Sequence, residues 1–330
     1  MKGLLKSFLR KLGLRRYRLE KCHYSLDGLF PTRFLLVWFA NPLLFFRWLQ
    51  NTLARRTMLA LPHLPGEVGY ELVKLAMILG VRLTRDAERP NLAIAWQDIT
   101  VSTFSLETAQ LRTGYFINSR CRDIGKDRIE TVFESVFGYS LRIDPTTHRG
   151  LCVRTSVLNA RHDGVIFNCP IPKPDLGCVY QRLVNNQVDN QFVLDLRTVC
   201  YRGTIPLVYR KFRPIKTRFA DRNGRVELAR PEDVYAPEER KLILRFCRAF
   251  ELDYGGLDVL RDADTGRLYI VDVNSTPFGP PYELESRARH RALAILAAAF
   301  HDQFIAGFPQ LVRERTAPVQ TTKITSCTHV

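Results

Sequence analysis

The stretch that most constrains this chain runs from Gly255 to Pro277. Asp262-Ala-Asp264-Thr-Gly266 is a polar turn with a glycine near its end. It joins two apolar runs, so the stretch reads as a β-hairpin. Side chains two apart on a strand face the same side. Leu268, Ile270, Asp272 and Asn274 are therefore expected on one face of the second strand, with Tyr269, Val271 and Val273 on the other. Folding the hairpin about Asp264 brings Asp258 roughly opposite Ile270 to Asp272. Two carboxylates and one amide oxygen then converge. Like charges that close repel, and burial penalises both. A hard divalent cation resolves the conflict; Mg²⁺ takes few carboxylates and completes its shell with water and phosphate oxygens. The competing reading is a hairpin with surface acids. Against it, Asp272 and Asn274 interrupt an otherwise apolar strand that ends at Thr276-Pro-Phe-Gly-Pro-Pro281.

Upstream, the texture divides. Gly66–Leu83 reads as a helix with an apolar stripe through Tyr70, Leu72, Val73, Leu75, Ala76 and Leu79. Pro90-Asn91 opens a short strand, Leu92–Trp96, and a second strand ends near Tyr115–Asn118. A helix starting near Asp123 runs to Phe137 and stops at Gly138. These elements suggest an α/β domain over 61–148. From Gly150, short β-like runs separated by turn residues read as an antiparallel sheet: Leu151–Val153, Gly164–Phe167, Cys178–Tyr180, Phe192–Leu194 and Leu207–Tyr209. Pro237 opens a helix through Phe250, and a last helix runs from about Glu283 to Phe304. A domain over 149–312 and a polar, Thr-rich tail over 313–330 complete the division.

Charge is uneven along the 330 residues. The net is +16, and residues 1–60 hold twelve Lys and Arg against Glu20 and Asp27. Such a patch attracts a polyanion or an anionic membrane surface; the competing reading is a solvated basic arm. Residues 2–21 alternate basic and apolar residues at helical spacing, giving a basic, apolar N-terminal helical region over 1–60. Within it, Phe34–Phe46 is a 13-residue apolar run broken by Asn41-Pro42. A spanning helix needs roughly 20 apolar residues. A buried helix pair is the first reading, a surface-lying segment the second. The eight cysteines form no Cys-x-x-Cys pair, so no zinc or redox motif is present. Cys152, Cys200 and Cys247 lie beside apolar residues, as free thiols packed in a reducing cytoplasm would. Nucleic-acid binding has charge behind it but no module, and no P-loop or Gly-x-Ser-x-Gly elbow occurs.

The hairpin resembles the C-terminal motif of the ATP-grasp superfamily, in which one acid and an acid-x-Asn pair hold magnesium against ATP phosphates. By that resemblance the metal ligands are Asp258, Asp272 and Asn274. Asp195-Leu-Arg197 followed by Val208-Tyr-Arg-Lys211-Phe-Arg213 is similar to the family's strand pair whose basic residues reach the phosphates. Val179–Val184, with Gln181 and Leu183, looks like the hinge strand that holds adenine. Asn118-Ser-Arg-x-x-Asp123-x-x-Lys126 resembles the segment carrying the first nucleotide-binding lysine. The resemblance covers roughly residues 90–300.

Two departures stand out. Arg154 stands where the family has a second lysine; it keeps the charge but changes geometry and reach. Gly255-Gly256 stands where D-alanine–D-alanine ligases carry an arginine, which argues against a plain D-amino-acid ligase. Lys211, Arg213, Lys216 and Arg218 fit either the phosphate site or a solvated basic loop, and His162-Asp163-Gly164 fits either a β-turn or a phosphate flap.

The resemblance implies a small antiparallel β-subdomain and a larger sheet subdomain, preceded by an α/β domain. It implies ATP and Mg²⁺ as cofactors and small-molecule or peptide carboxylates and amines as substrates. The implied reaction is ligation through an acyl phosphate, with Lys211 and Arg213 as catalytic residues. A phosphotransferase, or a nucleotide-binding scaffold held at a membrane or polyanion, uses the same parts. A cytoplasmic chain, peripheral at the inner membrane face, is the expected setting.

Overall fold

Two apolar helices, α1 (Pro31–Ala40) and α2 (Pro42–Leu53), open the part of the chain that the computed structural model describes. That part comprises residues 31–85, 92–104, 115–159, 161, 163–220 and 223–306. The basic segment 2–21, Pro90-Asn91, His162 and the Thr-rich tail lie outside the described residues. Pro42 fits the first turn of α2, so the helices break at Asn41. Val37, Leu44 and Asn51, seven apart, form one buried line along the pair, and Asn51 Nδ2 donates to Leu79 O at 2.8 Å. The expected burial holds on that inner line only. The outer face, with Leu36, Phe39, Leu43 and Phe46, is exposed.

A parallel sheet follows. Its strands β1 (Thr57–Pro62), β2 (Arg82–Thr84), β3 (Leu92–Trp96) and β4 (Phe116–Ile117) lie in the order β2-β1-β3-β4. Strand β1 crosses the expected domain boundary at residue 60, so the α/β unit begins earlier than its sequence texture suggests. Helix α3 (Glu71–Leu79) is shorter than expected. Gly80 takes the left-handed conformation that ends a helix, and Arg82–Thr84 instead pairs with Thr57–Leu59. Helix α4 (Lys126–Phe137) stops at Gly138 as expected.

The antiparallel region divides into two sheets, not one. Strands β5 (Gly150–Ser156), β6 (Val165–Cys169) and β7 (Cys178–Arg182) form a small sheet of order β6-β5-β7. Strands β8 (Phe192–Tyr201), β9 (Val208–Pro214), β10 (Arg225–Ala229), β11 (Tyr254–Arg261) and β12 (Leu268–Asn274) form a larger one of order β10-β9-β8-β11-β12. The short α5 (Pro231–Val234) precedes α6 (Pro237–Ala249); α7 (Ser286–Phe300) runs on into a π-helical turn, His301–Ala306. This is the mixed architecture expected, a small and a large antiparallel sheet behind an α/β unit.

Two cores hold it. Phe133 of α4, Phe246 of α6 and Ile270 and Val273 of β12 belong to one. The other joins α3 and the parallel sheet to α7 through Tyr201, Tyr254 and Phe300. The units are also stitched by hydrogen bonds between one side-chain amide and the backbone. Asn118, at φ 56, accepts from Asp253 N and Tyr254 N at 2.9 Å and donates to Tyr254 O at 2.7 Å. One expectation fails outright: Cys152 and Cys169 form a disulfide, because β5 and β6 pair in a register that sets them diagonally across the small sheet. Cys121, Cys200 and Cys247 are free and buried, as small apolar residues would be.

Candidate active site

The hairpin forms at the expected place. Asp258 of β11 and Asp272 of β12 are direct cross-strand partners, and Asn274 pairs with Gly256. One detail departs from simple alternation. The register slips by one residue beyond Asp258, where Val259 pairs with Ile270, leaving Val271 as an extra residue on β12. Val271 and Asp272 therefore both line the same cleft, while Ile270 goes into the core instead of sharing the face of Asp272.

That cleft has a volume of about 170 Å³ and lies between the small sheet, the large sheet and the N-terminus of α4. Its walls bring together Lys126, Gln181, Leu183, Arg213, Asp258 and Asp272 from the expected set. Lys126, at the first position of α4, places Nζ 3.3 Å from Asp272 Oδ1. Arg213 pairs with Asp195, which burial pushes toward the neutral form despite that arginine. Gln181 donates to Glu130 Oε1 at 2.7 Å, which ties the small sheet to α4.

Lys211 lies beside the cleft and almost wholly buried, 3.9 Å from Asp258 Oδ1. Burial draws its ammonium down to about 8, against the pull of Asp258. Asn274 sits one pleat beyond Asp272, and its Oδ1 accepts from Thr276 N at 2.8 Å. Arg154 is not part of the cleft. Val153 and Thr155 line it from β5; Arg154 points to the opposite face, 2.6 Å from Asp175. Strand alternation is the reason, since neighbouring side chains of a strand cannot share a face. His162 lies outside the described residues, but Asp163 and Gly164 line the cleft, and so does Arg218, which donates to Asn186 Oδ1 at 2.7 Å.

Two residues gain weight from the structure. Arg197 of β8 is the cross-strand partner of Asp258 on the other side, with Nε 2.8 Å from Asp258 Oδ1. A Cβ on Gly256 would come within 3.2 Å of Arg197 Cδ, so that glycine makes room for the arginine. Arg161 reaches the cleft from the segment after β5. Sequence reading did not single it out, because an isolated arginine in a loop carries no spacing signal.

The electrostatics fit a cation and an anionic ligand. Burial pushes the Asp258 carboxyl up, but Arg197, Lys211, Arg213 and Lys126 outweigh it and hold it at about 2. Asp258 Oδ1 is nevertheless buried without a hydrogen bond: Arg197 and Lys211 are near it, and neither aims an N–H at it. Buried carboxylate oxygens are normally satisfied. Asp258 and Asp272 face each other as carboxylate donors, and two carboxylates plus one amide make the sparse oxygen set that Mg²⁺ accepts.

No protein-family model matches the sequence, and no curated protein matches it. Among solved structures, the chain is similar to the ATP-grasp ligase PsnB complexed with minimal precursor, Mg and ADP. The identity is 14%, over 76% of this chain and 97% of that chain, with a TM-score of 0.49. In a complex of the same ligase with a phosphomimetic variant of its precursor, identity is 18%, coverage 60% of this chain and 63% of that chain, and the TM-score 0.41; there the match spans just under two thirds of the ligase. D-alanine–D-alanine ligase from Bacillus anthracis is similar at 11% identity, over 78% of this chain and 98% of that chain, with a TM-score of 0.47. PsnB is an ATP-grasp ligase, and all three likenesses stand at 18% identity or less with TM-scores below 0.5.

Proposed function

We propose that this chain is an ATP- and Mg²⁺-dependent ligase that activates a carboxylate as an acyl phosphate for attack by an amine. The observation that carries the reading is the pairing of Asp258 and Asp272 across the hairpin, facing a ring of cations. Asp258, Asp272 and Asn274 would hold the magnesium, which neutralises phosphate oxygens when bound. Lys126 and Arg213 face the cleft and would take the triphosphate, with Lys211 adding charge from beside it. Gln181 and Leu183 belong to the strand end that resembles the adenine hinge.

In the reaction, a carboxylate oxygen of the substrate bonds to the γ-phosphorus of ATP. The bond from that phosphorus to the β–γ bridging oxygen breaks, and ADP leaves. The amine nitrogen then bonds to the acyl carbon, phosphate departs, and the amine loses one proton. Charge spreads over the phosphoryl oxygens during transfer, so fixed cations stabilise it most where no water competes. Arg197 and Lys211, held on Asp258, are preorganised for that charge. Arg154 has no part in this reading, and the phosphate end rests on Lys126, Lys211 and Arg213.

The test is incubation with ATP, Mg²⁺ and pooled amino acids and short peptides, read by mass spectrometry. ADP, phosphate and a new amide are the expected products. A stable phosphorylated acceptor would turn the reading to a phosphotransferase. Absence of ATP binding in calorimetry, with Asp272→Ala indistinguishable from wild type, would remove both.

A further inference from the structure

Helices α1 and α2 present an outward face that a monomeric soluble protein rarely leaves in water. Phe39 is 77% exposed, Leu53 74%, Leu43 62% and Phe46 58%. Leu36 continues the same stripe, three residues before Phe39. The inner line of Val37, Leu44 and Asn51 fixes the orientation of the pair, so this exposure follows from how α1 is seated on α7 and α2 on α3. Between Leu35 and Leu53 the sole charged residue is Arg47, and it turns back to Asp302 at 2.8 Å. The outward face carries no charge. Trp38, Phe45 and Trp48 pack as an aromatic cluster along the pair.

We infer that this face docks on an anionic lipid bilayer. Charge complementarity selects that partner. The thirty residues leading into α1 hold eight Lys and Arg against two acids, and Arg55 and Arg56 close α2. A second copy seated on the same face would bring two such basic ends together, and like charge opposes that arrangement. An anionic leaflet accepts both parts: apolar side chains enter the headgroup boundary, and Lys and Arg gain from the surface potential. One weak signal gives reversible binding, and two together give stable anchoring. Among the described residues no helix is long and apolar enough to cross a membrane, so the contact is one of lying on the surface. The inference does not depend on the chemistry of the cleft.

The experiment is co-sedimentation of the full chain with vesicles of phosphatidylglycerol and phosphatidylcholine, against vesicles of phosphatidylcholine alone, at low and high salt. Two variants are compared: Phe39→Ser with Phe46→Ser, and Lys6→Glu with Arg10→Glu and Arg15→Glu. Sedimentation velocity and a thermal melt of each verify mass and folding. The expected result is at least tenfold stronger binding to the anionic vesicles, weakened by salt, with each variant folded and tenfold or more weaker. Equal binding to both vesicle types would overturn the inference, as would unchanged binding by folded Phe39→Ser/Phe46→Ser protein. A wild-type dimer that this variant splits, without vesicle binding by either protein, would assign the face to a second copy and overturn it too.

Discussion

Asp258 and Asp272 face each other across the β11–β12 hairpin, yet each leans on a different cation: Arg197 lies 2.8 Å from Asp258, and Lys126 lies 3.3 Å from Asp272. Asp258 stays ionised there because Arg197 of β8, Lys211 and Arg213 of β9 and Lys126 of α4 hold its carboxyl down against burial. Asp258 and Asp272 would hold a magnesium ion on this face, and it would supply positive charge beside that of Arg197 and Lys126.

Asp272→Ala is therefore expected to lower magnesium-dependent ATP affinity by about 100-fold or more. Asp258→Asn should do the same and also destabilise the fold. The Asp258 carboxyl is held at about 2 against an ordinary 3.8, which corresponds to about 2 kcal/mol. A depressed pKa contributes stability above the ordinary value, and that stability is lost as pH falls through about 2. Urea melts at pH 7 and pH 2 check this: the gap between wild type and Asp258→Asn should close in acid.

Arg154 and Arg213 should separate cleanly. Arg154→Ala removes an exposed pair with Asp175 outside the cleft, and nucleotide affinity is expected to be unchanged. Arg213→Ala removes a cation of the cleft wall and should cost about 10²-fold in turnover. Calorimetry with an ATP analogue, followed by an ADP-release assay, compares the two.

Lys211 gives the binding a pH profile. Its ammonium, drawn down to about 8 by burial, is charged at neutral pH and discharges as pH rises through that value. ATP affinity should then fall by up to about tenfold between pH 7 and pH 9. Lys211→Arg keeps its charge over that range and should flatten the profile. An identical fall in the variant would assign the dependence to another group.

Glu71 gives stability the opposite slope to that of Asp258. It is buried against Tyr201 and Tyr254, and burial raises it to about 7 although both hydroxyls oppose the shift. A raised carboxyl contributes stability that is full below its unfolded value of 4.5 and is lost as pH rises through about 7. Thermal melts should decline across that window by up to about 3 kcal/mol relative to Glu71→Gln, which does not titrate.

Much of the site was legible because it is local. The hairpin turn, the Asp272-x-Asn274 pair and the partner Asp258 lie within one stretch, where period-two alternation decides geometry. The bulge at Val271 was not legible, since one extra residue leaves no trace in composition, and it moved Ile270 to the core. Arg154 falls outside the cleft, because motif order says which strand a cation belongs to but not which face of it. Arg197 was visible only as part of a basic strand pair; its hold on Asp258 needed β8 and β11 to be neighbours, a long-range pairing. Strand β1 was hidden by the basic, apolar texture before it. The Cys152–Cys169 bond was hidden by a register that no spacing rule reveals.

The Asn118 stitch has a mechanical meaning. Asn118 holds the backbone of Asp253 and Tyr254, the residues where β11 begins; eight residues further along its own chain stands Lys126, and four residues past Tyr254 stands Asp258. The cation on α4 and the carboxylate on β11 thus belong to one jaw joined through the Asn118 side chain. Gln181 and Arg142, both bonded to Glu130, fasten the near edge of the small sheet to the same jaw. On the wall of the same cleft Phe219 lies against Gly164, where a Cβ on that glycine would meet its ring at 2.7 Å. A side chain added at position 164 would therefore displace that aromatic wall, while the acid end, tied to Asn118, stays where it is.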